Sequence, residues 1–285
     1  MGTRLLPATK SQPKEMLPVG RRPVVQYVVE ELEEAGLKQI LFITGRKKSA
    51  IEDHFDPDPE LVSTLAAGGG YALLEELRYT ETDARFFYTR QSVPKGLGDA
   101  VGHGREFVGD EHFVVALGDS IIKSPDGSSL LKIMIKAHLE HGAACTVAVE
   151  RVAPDEVYRY GIVKPAAGQE DQENFDLEDV VEKPRPDTAP SNLAIAARYV
   201  FSPAIFEAIQ RTAPDRQGEL QLTDSIRLLI QLGHKVRAVC LRPGEQRYDI
   251  GNFESYFKAF IDFALADEKY GYLVRQYLKR KAREI

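Results

Sequence analysis

Short apolar runs of strand character alternate with helix-spaced apolar patterns along nearly the whole chain, and this alternation most constrains the fold. Strands and helices that alternate in this way bury their apolar faces together by building a mostly parallel sheet with helices on both faces. The first clear unit begins at Pro23, which suits a helix start. Residues 24–35 then carry apolar side chains at helical spacing, Gly36 closes the helix, and Ile40-Leu41-Phe42-Ile43 follows as a buried strand. The pattern predicts further strands at 113–117, 145–149 and 196–201, and helices at about 130–139, after Pro203 and after Thr223. Residues 253–282 read as two helical patterns rich in aromatics, suited to covering the sheet or to a subunit contact.

The possible linkers are Gly68-Gly69-Gly70, the acidic stretch 169–173 and the proline-rich stretch 184–190; none is long enough to separate independent domains, so a single domain over 1–285 is expected. No apolar run approaches the ~20 residues of a membrane span, and the first residues lack a signal-peptide core, so the expected location is cytoplasmic, with no membrane partner. A net charge of −6 argues against a nucleic-acid surface but leaves small anionic substrates open. Cys145 and Cys240 both fall in β-branched runs and read as small core residues. The basic cluster at 279–283 ends a helical pattern, where cations offset the helix dipole.

Four constellations carry possible chemistry. Gly2-Thr3-Arg4, with Lys10 and Lys14 in a proline-braced segment, could wrap backbone N–H groups and cations around a polyphosphate; a poorly ordered basic terminus is the alternative. Gln91 and the loop Pro94-Lys95-Gly96-Leu97-Gly98 follow a strand-like run. An amide offers a donor and an acceptor to the edge of a uracil or thymine, and the glycines would let a flat base approach; an ordinary helix-capping loop is the alternative. Asp119 ends an apolar strand, and Asp249 stands beside a glycine far along the chain. Together they could hold one Mg²⁺, although a lone aspartate more often caps a helix or turn. Glu182 can accept from sugar hydroxyls and Lys183 can meet a phosphate, with a surface pair at a strand end as the alternative. Adjacent strand residues point to opposite faces, so both reach one ligand only if the strand breaks there, and Pro184 supplies such a break.

In this order, with Thr44-Gly45-Arg46 through Phe55, Pro190-Ser191-Asn192-Leu193-Ala194 and Gly218-Glu219-Leu220-Gln221-Leu222-Thr223-Asp224, the motifs resemble the bacterial UTP-glucose-1-phosphate uridylyltransferases within the sugar-phosphate nucleotidylyltransferase family. The resemblance runs from residue 1 to about 265. It implies a Rossmann-like mixed sheet of the nucleotide-diphospho-sugar transferase type, Mg²⁺ as cofactor, UTP and glucose 1-phosphate as substrates, and UDP-glucose and pyrophosphate as products; a homo-oligomer is also expected. Gly2, Thr3, Arg4 and Lys14 would hold the triphosphate, Gln91 and Gly96 the uracil, Asp119 and Asp249 the metal, and Gly161, Glu182 and Lys183 the sugar phosphate. Arg4, Lys14, Asp119, Lys183 and Asp249 would be the catalytic set.

Two departures stand out. Ser120 follows the metal aspartate where the family usually has an acidic or amide residue. The chain also starts inside the family's Ala-Ala-Gly-x-Gly-Thr-Arg loop, so its first strand is expected to be missing and Met1 to be an internal methionine. The alternatives are a thymidylyltransferase or other member of the family, and a catalytically silent nucleotide or sugar-phosphate sensor.

Overall fold

The computed structural model describes residues 3–124 and 129–284. The chain divides into two compact units, Met1–Thr89 with Ile250–Ile285, and Arg90–Asp249. Neither boundary coincides with a predicted linker. Gly68 to Gly70 form the turn between two helices, and the stretches 169–173 and 184–190 lie inside the second unit.

In the first unit β1 (Pro18–Val19) pairs with β2 (Arg22–Pro23) and leads into α1 (Val24–Glu34). Val24, Val25, Val28 and Val29 recur at helical spacing and are all buried. Gly36, at φ 89°, ends the helix. Its N–H donates to the Glu33 carbonyl, and that of Leu37 donates to Leu32, which satisfies carbonyls the last turn would leave open. β3 (Gln39–Thr44) follows, then α2 (Ser49–Phe55), α3 (Pro59–Ala67), α4 (Tyr71–Glu76) and β4 (Arg85–Arg90), which pairs with β3. Val25, Val29, Ile40, Ile51 and Phe55 form the core of this unit. The helices Phe253–Ala266 and Gly271–Lys281 belong to it as well. They are tied down where Tyr27 meets Phe263 edge to face at 4.8 Å and where Arg21, which also pairs with Glu76 of α4 at 2.6 Å, reaches Asp267 at 2.7 Å.

The second unit opens with α5 (Leu97–Gly102), α6 (Arg105–Val108), β5 (Phe113–Ala116), β6 (Ser120–Lys123), α7 (Leu130–Glu140), β7 (Cys145–Arg151) and β8 (Gly161–Pro165). It continues with β9 (Asn174–Glu182), β10 (Leu193–Phe201), α8 (Ala204–Arg211), α9 (Leu222–Gln231), β11 (Val236–Cys240) and β12 (Gln246–Asp249). Six of its strands form one sheet in the order β5-β10-β7-β11-β9-β8, and β8 also meets β10 through Ala194 and Ile162. The sheet is mixed, as its class requires, but its parallel pairing is β7 with β11, and its other pairings among the described residues are antiparallel. The local reason is connectivity: β8 and β9 form a hairpin, and β10 runs between β5 and β7 against both. All nine residues of β10 are buried, as a central strand demands. Cys145 is buried in β7, Cys240 lies in β11, and neither forms a disulfide. Among the described residues no helix is long and apolar enough to cross a membrane.

One polar group in this core is a liability in acid. His138 on α7 is fully buried, with Nε2 2.8 Å from His112 Nδ1 and Nδ1 3.1 Å from Thr146 Oγ1. Burial, aided by the neighbouring His112, pushes its pKa down to about 4. A base whose folded pKa lies below its unfolded value gives stability that is complete above about 6.5 and lost as pH falls toward the folded value. The melting temperature of His138→Gln should therefore fall less steeply than that of the parent as pH is lowered from about 6.5 toward 4. Parallel melting curves through this window would show that His138 is not the group responsible.

Candidate active site

The second unit contains a cleft of about 220 Å³. Its floor begins at the turn between β5 and β6. The Ser120 N–H donates to the Leu117 carbonyl, which closes the turn and leaves Asp119 at its tip. β6 then pairs antiparallel with β12, and the register sets Ser120 opposite Asp249. Two half-buried aspartates far apart in sequence are thereby brought to one end of a two-stranded ribbon, and both line the cleft. Adjacent carboxylates repel and favour a cation between them.

These residues suit a small hard cation. Among the described residues no group of three or more His, Cys, Asp or Glu is gathered, so an all-protein cage is lacking. Mg²⁺ does not need one, because it commonly keeps several waters and takes one or two carboxylates plus substrate phosphates. Ser120 adds a hydroxyl that is buried, lines the cleft and has no hydrogen-bond partner among the described residues. A ligand or a metal-bound water would satisfy it.

The β8–β9 hairpin lines the cleft as well. Gly161 pairs with Glu182, the last residue of β9, and the Lys183 N–H donates to the Tyr160 carbonyl. Lys183 itself sits at φ 45°, so the strand breaks there, and Glu182 and Lys183 both line the cleft with Nζ 3.2 Å from Oε1. Gly161 is needed for close approach. A Cβ there would lie 2.9 Å from Thr223 Oγ1 and 3.3 Å from Glu182 Oε2.

Thr3 and Arg4 are exposed on a 3₁₀ turn of the first unit, half-buried Lys14 begins a second 3₁₀ turn, and Gly2 lies outside the described residues. Gln91 and Gly96 lie on the loop leading into α5, whose first residue, Leu97, lines the cleft. Two details differ from the reading of the sequence. The Gln91 amide nitrogen is already donating to the Gly96 carbonyl at 3.2 Å and to Asp99 Oδ2 at 2.6 Å, so its carbonyl oxygen is the atom that remains to read a base. The space beside Gly96 and Gly98 is used by the chain itself. The Gly98 N–H donates to the Leu220 carbonyl, the Leu220 N–H donates to the Lys95 carbonyl, and a Cβ at Gly96 would lie 2.5 Å from the Leu220 oxygen.

The sequence reading missed several residues in the cleft. Thr223 and Gln221 line it from the start of α9, and Tyr160 sits under two guanidinium groups, those of Arg159 at 5.3 Å and Arg247 at 5.0 Å. Arg247 also reaches Glu150 at 2.5 Å. Burial pulls its pKa down, but the negative charges of Glu150 and Asp249 outweigh that and leave it raised. Its place in Gln246-Arg247-Tyr248-Asp249, on the same strand face as Asp249, was the available signal.

The chain belongs to the nucleotidyl transferase family, whose model matches residues 1–264. UTP–glucose-1-phosphate uridylyltransferase 2 of Staphylococcus saprophyticus is 42% identical over 94% of this chain and 90% of its own length. The UTP-bound UGPase from Acinetobacter baumannii superposes with a TM-score of 0.89 at 36% identity, covering 97% of this chain and 94% of that one. A UDP-glucose pyrophosphorylase complexed with UDP-glucose gives 0.82 at 36% identity, covering 93% and 96%.

The Leu220 contacts have a direct consequence for stability. Gly96→Ala introduces both a positive-φ strain and a backbone overlap, and overpacking of this kind costs at least ~1–3 kcal/mol. A melting temperature equal to that of the parent would contradict the contact with Leu220.

Proposed function

We propose that this chain is an enzyme that transfers a uridylyl group from UTP to glucose 1-phosphate, giving UDP-glucose and pyrophosphate. The observation that carries the reading is the meeting of Gly161, Glu182 and Lys183 with Asp119 and Asp249 in one cleft. The names of the relatives and the ligands of the two solved neighbours agree with it. A volume near 220 Å³ is below the roughly 300–1,000 Å³ of a complete ligand pocket, and suits one hexose phosphate better than both substrates.

A phosphate oxygen of glucose 1-phosphate attacks the α-phosphorus of UTP. A new P–O bond forms as the bond to the bridging oxygen breaks, and pyrophosphate leaves with that electron pair. The second pKa of a phosphate monoester lies near 6, within about a unit of neutrality, so the nucleophile is already largely anionic and no side chain has to remove its proton. The work left to the protein is positioning and charge neutralisation. Lys183 holds the sugar phosphate, Glu182 accepts from the sugar hydroxyls, and Gly161 keeps the wall open. Gly2, Thr3, Arg4 and Lys14 are assigned to the triphosphate, and Gln91 with Gly96 to the uracil, Gln91 accepting from the base N–H. Asp119 and Asp249 would hold Mg²⁺, which supplies Lewis-acid stabilisation of the phosphate charge when bound.

We read 1–285 as one nucleotidylyltransferase domain of a cytoplasmic homo-oligomer. The exposed Phe257, Tyr272, Leu273 and Tyr277 of the last two helices support the oligomer, and light scattering tests it.

The decisive experiment is pyrophosphate release across a grid of nucleoside triphosphates and sugar phosphates. Turnover should be greatest with UTP and glucose 1-phosphate; binding without turnover would leave a sensor, and a preference for dTTP would leave a thymidylyltransferase. Asp119→Asn and Asp249→Asn should each nearly abolish turnover without unfolding the protein. Wild-type rates over a range of Mg²⁺ concentrations would remove that residue from the metal site. Lys183→Ala should raise KM for glucose 1-phosphate by about ten- to hundred-fold, as the loss of a charge-assisted contact implies, while Gln91→Ala should relax base selection. Equal damage to the use of both substrates by both variants would count against these roles.

A further inference from the structure

Among the described residues the largest fully buried side chain is a charged one, Arg198 on the central strand β10. A cation in a core needs a reason, because burial of a charge is costly unless it is compensated. The strand departs from regular geometry at this point. β10 is in register with β7 at Ile195 and Val149 and again at Tyr199 and Val147, so Ala196, Ala197 and Arg198 together stand opposite Ala148. Within this bulge Ala197 takes φ 60°, a conformation that residues bearing a Cβ adopt rarely and that marks a locally imposed geometry.

The bulge connects to the turn that displays Asp119. The Ala197 carbonyl accepts from the Leu117 N–H at 3.1 Å and from Arg198 Nη1 at 3.0 Å. Arg198 Nη2 donates to the Ser120 carbonyl at 2.9 Å. Both ends of the 117–120 turn are thereby tied to residues 197–198, with Asp119 between the ties, and Ser120 is the register partner of Asp249. A planar guanidinium can bridge two carbonyls in fixed geometry, which a lysine ammonium cannot copy.

We propose that Arg198 is a positioning residue for the divalent-cation site: it locks the bulge of β10 to the Asp119–Ser120 turn and so sets the two aspartates for the metal. The inference rests on the reading of Asp119 and Asp249 as metal ligands. A nearby positive charge repels a cation, so deleting it would tighten metal binding if charge were its only effect. Loss of the tether weakens metal binding instead.

The test uses Arg198→Met, Arg198→Lys and, as reference, Asp119→Asn, each checked first for a cooperative melt. Mn²⁺ is titrated into the protein with and without UTP, in the absence of glucose 1-phosphate, and followed by water-proton relaxation. Both Arg198 variants should weaken Mn²⁺ binding by about tenfold, the size of effect seen when groups that orient metal ligands are removed. In turnover, kcat should fall by at least as much, while KM for glucose 1-phosphate changes by less than about twofold. Unchanged or tighter Mn²⁺ binding in a folded variant, or full rescue by lysine, overturns the proposal. If Arg198→Met does not fold, Arg198→Lys decides. If Asp119→Asn loses Mn²⁺ while Arg198→Lys keeps it, the positioning role fails and the metal reading stands. If Asp119→Asn binds Mn²⁺ as the parent does, the metal reading fails and this inference fails with it.

Discussion

The antiparallel pairing of β6 with β12 is the contact on which the cleft depends, because it holds two carboxylates against their mutual repulsion. Asp119 and Asp249 could not remain neighbours on flexible segments. Here one terminates a strand-to-strand turn and the other terminates a strand, and backbone hydrogen bonds through Ser120 fix their separation. The surrounding side chains distribute charge about this centre. Glu150 holds Arg247 over the Tyr160 ring, two residues from Asp249, whose negative charge helps to keep the guanidinium pKa raised.

Close approach by glycine is the second device. Gly161 allows Thr223 and Glu182 to converge on the same wall, and Gly96 and Gly98 allow the 218–222 segment to lie against the loop before α5. In both places the missing Cβ serves contact between chain segments. α9 starts where that segment ends, so the geometry of the Gly96 loop is transmitted to Gln221 and Thr223 in the cleft.

Much of the secondary structure was legible, because α1, α7 and β3 are written in short-range patterns: valines at helical spacing, a glycine at the helix end, an apolar run after it. Strand direction was not, since an apolar run reads the same in a parallel and an antiparallel partner, and the β8–β9 hairpin carries no tight-turn dipeptide. The unit boundaries were equally hidden. They fall at Thr89 near the end of β4 and at Asp249 at the end of β12, where regular structure, rather than a linker, links the units along the chain. In the cleft, Asp119, Glu182 and Lys183 announced themselves by standing at the ends of apolar runs. Arg198 did not, because a single arginine inside Ile195-Ala196-Ala197-Arg198-Tyr199 reads as an interruption of a strand, and only the bulge explains where its side chain goes.

β9 ends at Glu182, and Lys183 directly after it leaves the extended conformation. Sequence alone poses a contradiction, since adjacent residues of a strand face opposite ways, and a proline after the pair only marks where the strand can stop. The structure resolves it through the φ of 45° at Lys183 and the bond from its N–H to the Tyr160 carbonyl, which turns the chain while keeping the hairpin closed. A residue with a Cβ holds such a conformation only if its surroundings impose it. The strain at Lys183 and that at Ala197 therefore have the same meaning. Each lies at a wall of the cleft, each is fixed by a backbone hydrogen bond to the neighbouring strand or turn, and each interrupts the regular course of its strand beside the cleft.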